Sequence, residues 1–342
     1  MPTNFKTKQE KQRRAEKSSK RAQKARGNPR LVLGLLVGTI VASGIFWAKT
    51  NIVEFWQRLM EPARYEFVNP EVVDEKLLKL IKGVKTQGDV VEAIEELTDG
   101  LVGTYGVYVY RLGNVKCQSS NVKCDTEKEY GLNQDEVFIA ASVNKVPIMA
   151  ATLQEIEEGN LTFDDQYRLQ GRDLQDYGTG TMRYDPLGTI YTYEELLELS
   201  GKKSDNTAAF VLSKIVGKEK LDEFLFELEM ENTSIEENTT TPKETGRLFV
   251  EVYEDRLLLG KFKEKFYGYL TNTDFEDRIP MGVPDIIAVT HKIGNEIGVI
   301  NDCGIVFEKE PYVLCILSQN INEAEALEVL PKISRLVWEF EK

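Results

Sequence analysis

Histidine is almost missing from this chain: His291 is the single one in 342 residues. A His-rich metal site is thereby excluded, and any Ser-His-Asp triad would have to use that one residue. No internal repeat is present. The composition, 42% hydrophobic and 29% charged, is ordinary globular usage and excludes a disordered or collagen-like chain. Outside the first thirty residues positive charge is outnumbered by negative. Those carry eleven Lys/Arg against Glu10 and Glu16, a local +9, so the overall −13 leaves −22 on the other 312 residues. A body that acidic repels phosphate backbones, and nucleic acid is not an expected partner. The length accommodates one large domain or two ordinary ones.

One long run lacks charge altogether. Leu31 to Ala48, LVLGLLVGTIVASGIFWA, has eighteen residues. At about 1.5 Å per residue such a helix measures about 27 Å, close to a hydrocarbon core of about 30 Å. The basic tail 1–30 precedes it, so the positive-inside bias predicts a cytoplasmic N-terminus, an anchor at 31–48 contacting lipid through residues 1–48, and an exported body. Trp47 and Trp56 suit the interface. The competing reading is a cleaved signal peptide, but its basic region would be unusually long, and bulky Phe46 and Trp47 precede Ala48 where small residues are expected.

All four cysteines then fall in an oxidising compartment, where disulfides persist and three pairings are open. Cys117 and Cys124 flank a polar stretch that reads as a hairpin tip. Cys303 and Cys315 lie in two apolar runs separated by a turn-like EKEP. With a three-residue turn they face each other across an antiparallel pair; the alternative is buried free thiols.

Residues 49–86 read as a charged, partly helical spacer broken by Pro62 and Pro70, and 87–342 as the folded domain. VVEAIEEL (90–97) has helical spacing, stopped by Gly100. TYGVYVYRL (104–112) is apolar on both faces and predicts a buried central strand, with EVFIAA (136–141) a second strand. Helical patterns fill about 143–275. Strands return at DIIAVTHKI (285–293), CGIVF (303–307) and YVLCIL (312–317), before a last amphipathic helix that Pro331 starts or kinks. The fold class is therefore α+β: an antiparallel sheet built from both ends of the domain, with an inserted helical lobe.

Three short motifs carry chemistry. Ser142-Val-Asn-Lys145 follows a strand, and Pro147 places a helix start near Ser142. Lys145, one turn on, returns to the serine's face, where a desolvated neutral amine can take the hydroxyl proton. Ser204-Asp205-Asn206 precedes a helical run; read blandly it is a helix N-cap, but its hydroxyl suits passing a proton to a leaving nitrogen. His291-Lys292-Ile293-Gly294 ends a β-rich run, where a lysine beside a glycine suits a substrate carboxylate. Singly, each is an ordinary cap, strand end or chance string.

In this order and context the three motifs resemble class A β-lactamases and penicillin-binding proteins. YGVYVYRL, FIAASVNKVPI, YGTGTM, YTYEELLELSGKKSDNTAAFVL and VTHKIG with NDCGIVF are similar to class A sequence across about 87–342. The resemblance implies Ser142 as the acylated nucleophile, Lys145 as its activating partner and Ser204 as the relay to the departing nitrogen. Asn206 would hold the substrate's side-chain amide and Lys145, and Lys292 would attract the substrate carboxylate, with Gly294 lining the site. The oxyanion hole would be the backbone N–H groups of Ser142 and Asn295. No cofactor and no metal are implied; the expected substrate is a β-lactam or a peptidoglycan-like amide.

Two departures matter. Ile293 stands where the family has Thr or Ser, so one donor to the carboxylate is lost, worth about 1.5–3 kcal/mol. The loop that carries the water-activating glutamate in class A enzymes also looks shorter, by about a dozen residues, and its E-x-x-L-N pattern is absent. Glu236 and Glu237 lie in the remnant as candidate water bases. Three activities remain open: a β-lactam hydrolase, a penicillin-binding D,D-peptidase with slow deacylation, and a catalytically silent wall-associated module.

Overall fold

A computed structural model describes residues 72–113 and 128–342. Cys117 and Cys124, the basic tail and the Leu31–Ala48 run lie outside the described residues. All that follows belongs to the unit Tyr65–Lys342. Among the described residues no helix is long and apolar enough to cross a membrane.

Helix α1 (Glu75–Gly83) begins where Asp74 accepts a hydrogen bond from the Leu77 N–H. It lies in the stretch expected to be a spacer, yet Leu77 is fully buried, so the folded unit extends ahead of residue 87. Helix α2 (Gln87–Thr98) opens on a Thr86–Asp89 capping box. Strand β1 (Thr104–Arg111) follows, then β2 (Glu129–Leu132) and the two-residue β3 (Phe138–Ile139). A 3₁₀ turn, Ala141–Asn144, leads into α3 (Lys145–Glu157). The lobe continues through β4 (Gln166–Arg168), β5 (Ile190–Thr192), α4 (Tyr193–Lys202), α5 (Asn206–Val216) and α6 (Lys218–Glu227). Then come β6 (Thr239–Thr240), α7 (Pro242–Tyr253), α8 (Gly260–Leu270) and the short α9 (Ile279–Gly282). Strands β7 (Val289–Glu296), β8 (Val299–Val306) and β9 (Tyr312–Gln319) precede α10 (Glu323–Glu341).

The main sheet runs β2-β1-β9-β8-β7, antiparallel throughout, so strands from both ends of the domain interleave as expected. Alternation along β1 explains its two apolar faces. Tyr105, Val107 and Val109 join a core with Leu77 and Ile94 of the N-terminal helices and Leu336 and Trp338 of α10. Tyr108 and Tyr110 face the other core, with Met149, Leu212 and Phe249 of the helical lobe. The register sets Cys303 opposite Cys315, and a disulfide joins them.

Two expectations are corrected. EVFIAA keeps only Phe138–Ile139 as strand, because β3 pairs with the short β6 and the chain then turns at Ala141, whose φ is 49°. Pro331 does not start the last helix: Asn322 caps it nine residues upstream of Pro331, accepting from Ala324 N, and Pro331 lies inside.

Candidate active site

The nucleophile segment is clamped before its chemistry begins. Ala140 N donates to Asn238 O at 2.8 Å, and the Asn301 amide donates to Ile139 O at 2.9 Å and Ala140 O at 3.2 Å. On the other side a Cβ added to Gly294 would lie 2.6 Å from Ala140 O, so glycine is what lets β7 pass this close. Ala141, a non-glycine residue in the left-handed region, then leads into the half-buried Ser142. Among the described residues Ser142 Oγ makes no hydrogen bond.

Lys145 opens α3 and is buried. Its Nζ contacts Ser204 O, Ser204 Oγ at 3.2 Å and Asn206 Oδ1 at 2.7 Å. Burial pushes its pKa down to about 7, against the opposing pull of Asp205. A neutral amine has two N–H donors and one lone pair. The two donors are met by Ser204 O and Asn206 Oδ1, which leaves the lone pair for a hydroxyl proton. Lys292 approaches from β7, its Nζ donating to Ser204 Oγ at 2.8 Å. Burial, reinforced by the nearby Lys145 cation, holds its pKa well below the usual lysine range. Ser204 thus stands between two lysine nitrogens, in a left-handed backbone conformation of φ 52°.

The YGTGTM loop holds this arrangement from outside. Thr179 Oγ1 donates to Ser204 O at 2.6 Å, Thr179 O accepts from Asn206 N, and Tyr177 O accepts from Asn206 Nδ2 at 3.0 Å. A Cβ at Gly178 would come within 2.3 Å of Asn206 Nδ2, so the loop can seat only with glycine there. Asp205 does serve as a cap, accepting from Ala208 N, and also binds Met182 N. The ordinary N-cap of Ser-Asp-Asn is therefore Asp205, which leaves the Ser204 and Asn206 side chains to meet Lys145.

Strand β7 is the free edge of the sheet. The two-residue turn Ile297-Gly298 makes Glu296 and Val299 the closing pair, so alternation turns the Asn295 N–H away from β8, off that edge. Lys292 and Gly294 share the face toward the lobe, and His291, Ile293 and Asn295 the opposite one. His291 is fully buried away from Ser142, with Nδ1 on Asp302 at 2.8 Å and Nε2 on Glu276 at 3.3 Å. Burial lowers its pKa, but the two carboxylates outweigh that and raise it to about 9. A Ser-His-Asp triad with Ser142 is not assembled, since both ring nitrogens of His291 meet carboxylates.

The structure brings Lys145, Ser204, Asn206 and Lys292 together; it does not bring Glu236 or Glu237 to them. Both are exposed, and Glu236 bonds Lys218 at 2.9 Å, which holds its carboxyl below the usual range. The loop instead meets the nucleophile segment through a backbone carbonyl, Ser234 O accepting from Asn144 Nδ2 at 2.9 Å, and Thr233 and Thr240 link hydroxyl to hydroxyl with Thr245 of α7. Sequence reasoning passed over Thr179, Asn301 and Arg278. Arg278 is buried, with Nη2 on Asn295 Oδ1 at 2.7 Å and Nη1 on Asn301 O at 3.2 Å. Only the YGTGTM string carried any signal for the first of these. Among the described residues no cluster of His, Cys, Asp and Glu suits a metal ion.

The comparisons agree with this geometry. Residues 89–340 match the beta-lactamase enzyme family. The beta-lactamase VEB-1 of Pseudomonas aeruginosa is 25% identical over 253 residues, spanning 65% of this chain and 83% of that protein. SME-1 of Serratia marcescens is 24% identical over 239 residues, spanning 64% and 75%. Among solved structures PBP-A superposes with a TM-score of 0.66 at 24% identity, covering 74% of this chain and 96% of that one. A PBP-A mutant solved as its acyl-enzyme complex with penicillin G gives 0.65 at 24%, covering 75% and 98%. With the match extending over most of the chain and the expected motifs at their expected places, this protein belongs to the beta-lactamase enzyme family.

Proposed function

We propose that the chain is a membrane-anchored, extracytoplasmic serine acyl-transfer enzyme that opens β-lactam or related amide bonds through an ester on Ser142 and releases that ester slowly. The observation that carries the reading is the convergence of Lys145 and Lys292 on one hydroxyl, Ser204 Oγ, at 3.2 and 2.8 Å. The Lys145 lone pair takes the Ser142 proton, and Oγ attacks the carbonyl carbon. Charge on the carbonyl oxygen is met by the N–H groups of Ser142 and Asn295; such preorganised donors typically contribute about 3–4 kcal/mol. As the C–N bond breaks, the Ser204 hydroxyl gives its proton to the nitrogen and is resupplied by the lysine pair. Lys292 keeps the site positive toward a carboxylate, and Asn206 retains one amide N–H for the substrate's own amide.

Slow release follows from Glu236 and Glu237 facing solvent, since an ester needs a base to direct water at it. This favours a penicillin-binding, D,D-peptidase-like enzyme over a rapid β-lactamase. The anchor rests on the uncharged 31–48 run behind a +9 tail. The test is a burst experiment with benzylpenicillin and intact-mass detection. Wild type should accumulate one stoichiometric adduct, and Ser142→Ala none. Steady turnover without an accumulating adduct, abolished by replacing Glu236 or Glu237, would restore a lactamase. Absence of any adduct from any donor would leave the silent module.

A further inference from the structure

Most of the described lysines beyond α1 are tied to a carboxylate, Lys203, Lys214, Lys218 and Lys332 among them. The lysines of α1 are not. Lys76, Lys79 and Lys82, with Lys85 just past the helix end, are all exposed and form no ion pair among the described residues. Glu75 is the only acid in the helix. In a body that carries −22, this is a local reversal of sign.

Helix geometry sets which way these side chains face. Leu77 is fully buried, and Leu80 and Ile81 pack half-buried beside it against the core of the N-terminal helices. At about 3.6 residues per turn, Leu78, Lys79 and Lys82 then point away from that core. Leu78 is accordingly 43% exposed, an apolar side chain set among ammonium groups. The helix is fixed to the body at both neighbours. Asp74, its cap, accepts from Lys332 Nζ of α10 at 2.8 Å, and Lys76 Nζ donates to Glu96 O of α2 at 2.6 Å. Helix α2 exposes Glu92, Glu95 and Glu96, so the basic strip is one helix wide and ends there.

Lysine stems can lie along an interface while their ammonium groups reach phosphates, and a leucine between them can enter the headgroup layer. Each lysine held near an anionic bilayer favours the contact by about fivefold. The acidic remainder of the body is kept off such a surface, which leaves α1 as the element that can touch it. The helix also follows soon after the uncharged run that ends at Ala48.

We propose that the outward face of α1, Leu78 with Lys79, Lys82 and Lys85, rests on anionic phospholipid headgroups of the bilayer that holds the 31–48 anchor, giving the chain a second, salt-sensitive membrane contact. This rests on the anchor reading above.

The experiment uses the full chain in lipid nanodiscs of phosphatidylcholine alone or mixed equally with phosphatidylglycerol. Lysines are acetylated with a membrane-impermeant reagent and followed by peptide mass, with Lys309, exposed elsewhere on the body, as the internal reference. Acetylation of Lys79 and Lys82 should be about fivefold slower or more in the anionic discs, with Lys309 unchanged and the protection lost at high salt. Leu78→Asp, at an exposed position, should return both lysines to the phosphatidylcholine rate. Lys79→Glu with Lys82→Glu should do the same for Lys85. Equal rates in the two kinds of disc, or an equal slowing of Lys309, overturn the proposal while the anchor stands. Protection given by soluble polyphosphate in phosphatidylcholine discs and not by phosphatidylglycerol would assign the face to an anionic polymer and overturn it too. A chain that does not stay with discs of either composition overturns the anchor reading and this proposal with it.

Discussion

Lys145 concentrates the residue-scale argument, because its usefulness as a base depends on which protonation state the site favours. Water would keep it charged; burial favours the neutral form and brings the pKa to about 7, only partly countered by Asp205. Below that pH the amine is protonated and cannot accept the Ser142 proton, whereas above it the lone pair is available. The acylation rate should therefore rise with pH through about 7. Burial and Asp205 set the Lys145 value, so replacing Lys292 by Gln should slow acylation while leaving the rising limb near pH 7. Stopped-flow acylation from pH 5 to 9 on wild type and Lys292→Gln checks both. A flat profile over that range would mean that Lys145 is not the base.

At the scale of elements, the disulfide and the catalytic strand are adjacent. Cys303 faces Cys315 on β9 and, across the other edge of β8, faces Lys292 on β7. The bridge therefore ties together the two central strands directly behind the lysine. It closes a loop of sequence separation 12. A loop of that size is worth about 3 kcal/mol in the chain-entropy account. The paired substitution Cys303→Ala with Cys315→Ala should lower unfolding free energy by about that amount in a urea titration, with the acylation rate reduced less severely than by Lys292→Gln. An unchanged midpoint would show that the bridge does not constrain the unfolded chain.

The elements also show what was legible beforehand. β1 was readable because eight consecutive residues are sandwiched between two cores, and α2 because its cap and spacing agree. The Ser142–Lys145 spacing forecast a shared helical face, and α3 does begin at Lys145. β3 was overestimated because its pairing ends at the turn imposed by Ala141, a tertiary choice with no local signal. Glu236 illustrates a different limit: composition placed carboxylates in the shortened loop, but the Glu236 carboxylate is held by Lys218 in α6, eighteen residues away in sequence. Arg278 was invisible because a single arginine in a loop has no period to read. Its role comes only from the β7–β8 hairpin that surrounds it.

The whole molecule is divided by charge, with +9 on residues 1–30 and −22 on the rest, and an uncharged eighteen-residue run just beyond the basic block. Each Lys or Arg near an anionic cytoplasmic leaflet contributes about 1 kcal/mol to holding the tail there, while an acidic body gains nothing from that surface. Under the proposed anchor the two parts would lie on opposite sides of a bilayer, the orientation under which an enzyme with a cell-wall-like amide substrate would meet it. A protease added to intact cells, after any outer barrier is removed, should digest residues beyond about 50 and leave a protected fragment containing the tail and the Leu31–Ala48 run. Carbonate extraction should keep that fragment with the membrane. Recovery instead of a soluble product starting near Lys49 would mean that the run is a signal sequence, and the enzyme would then work free of the membrane with its site unchanged.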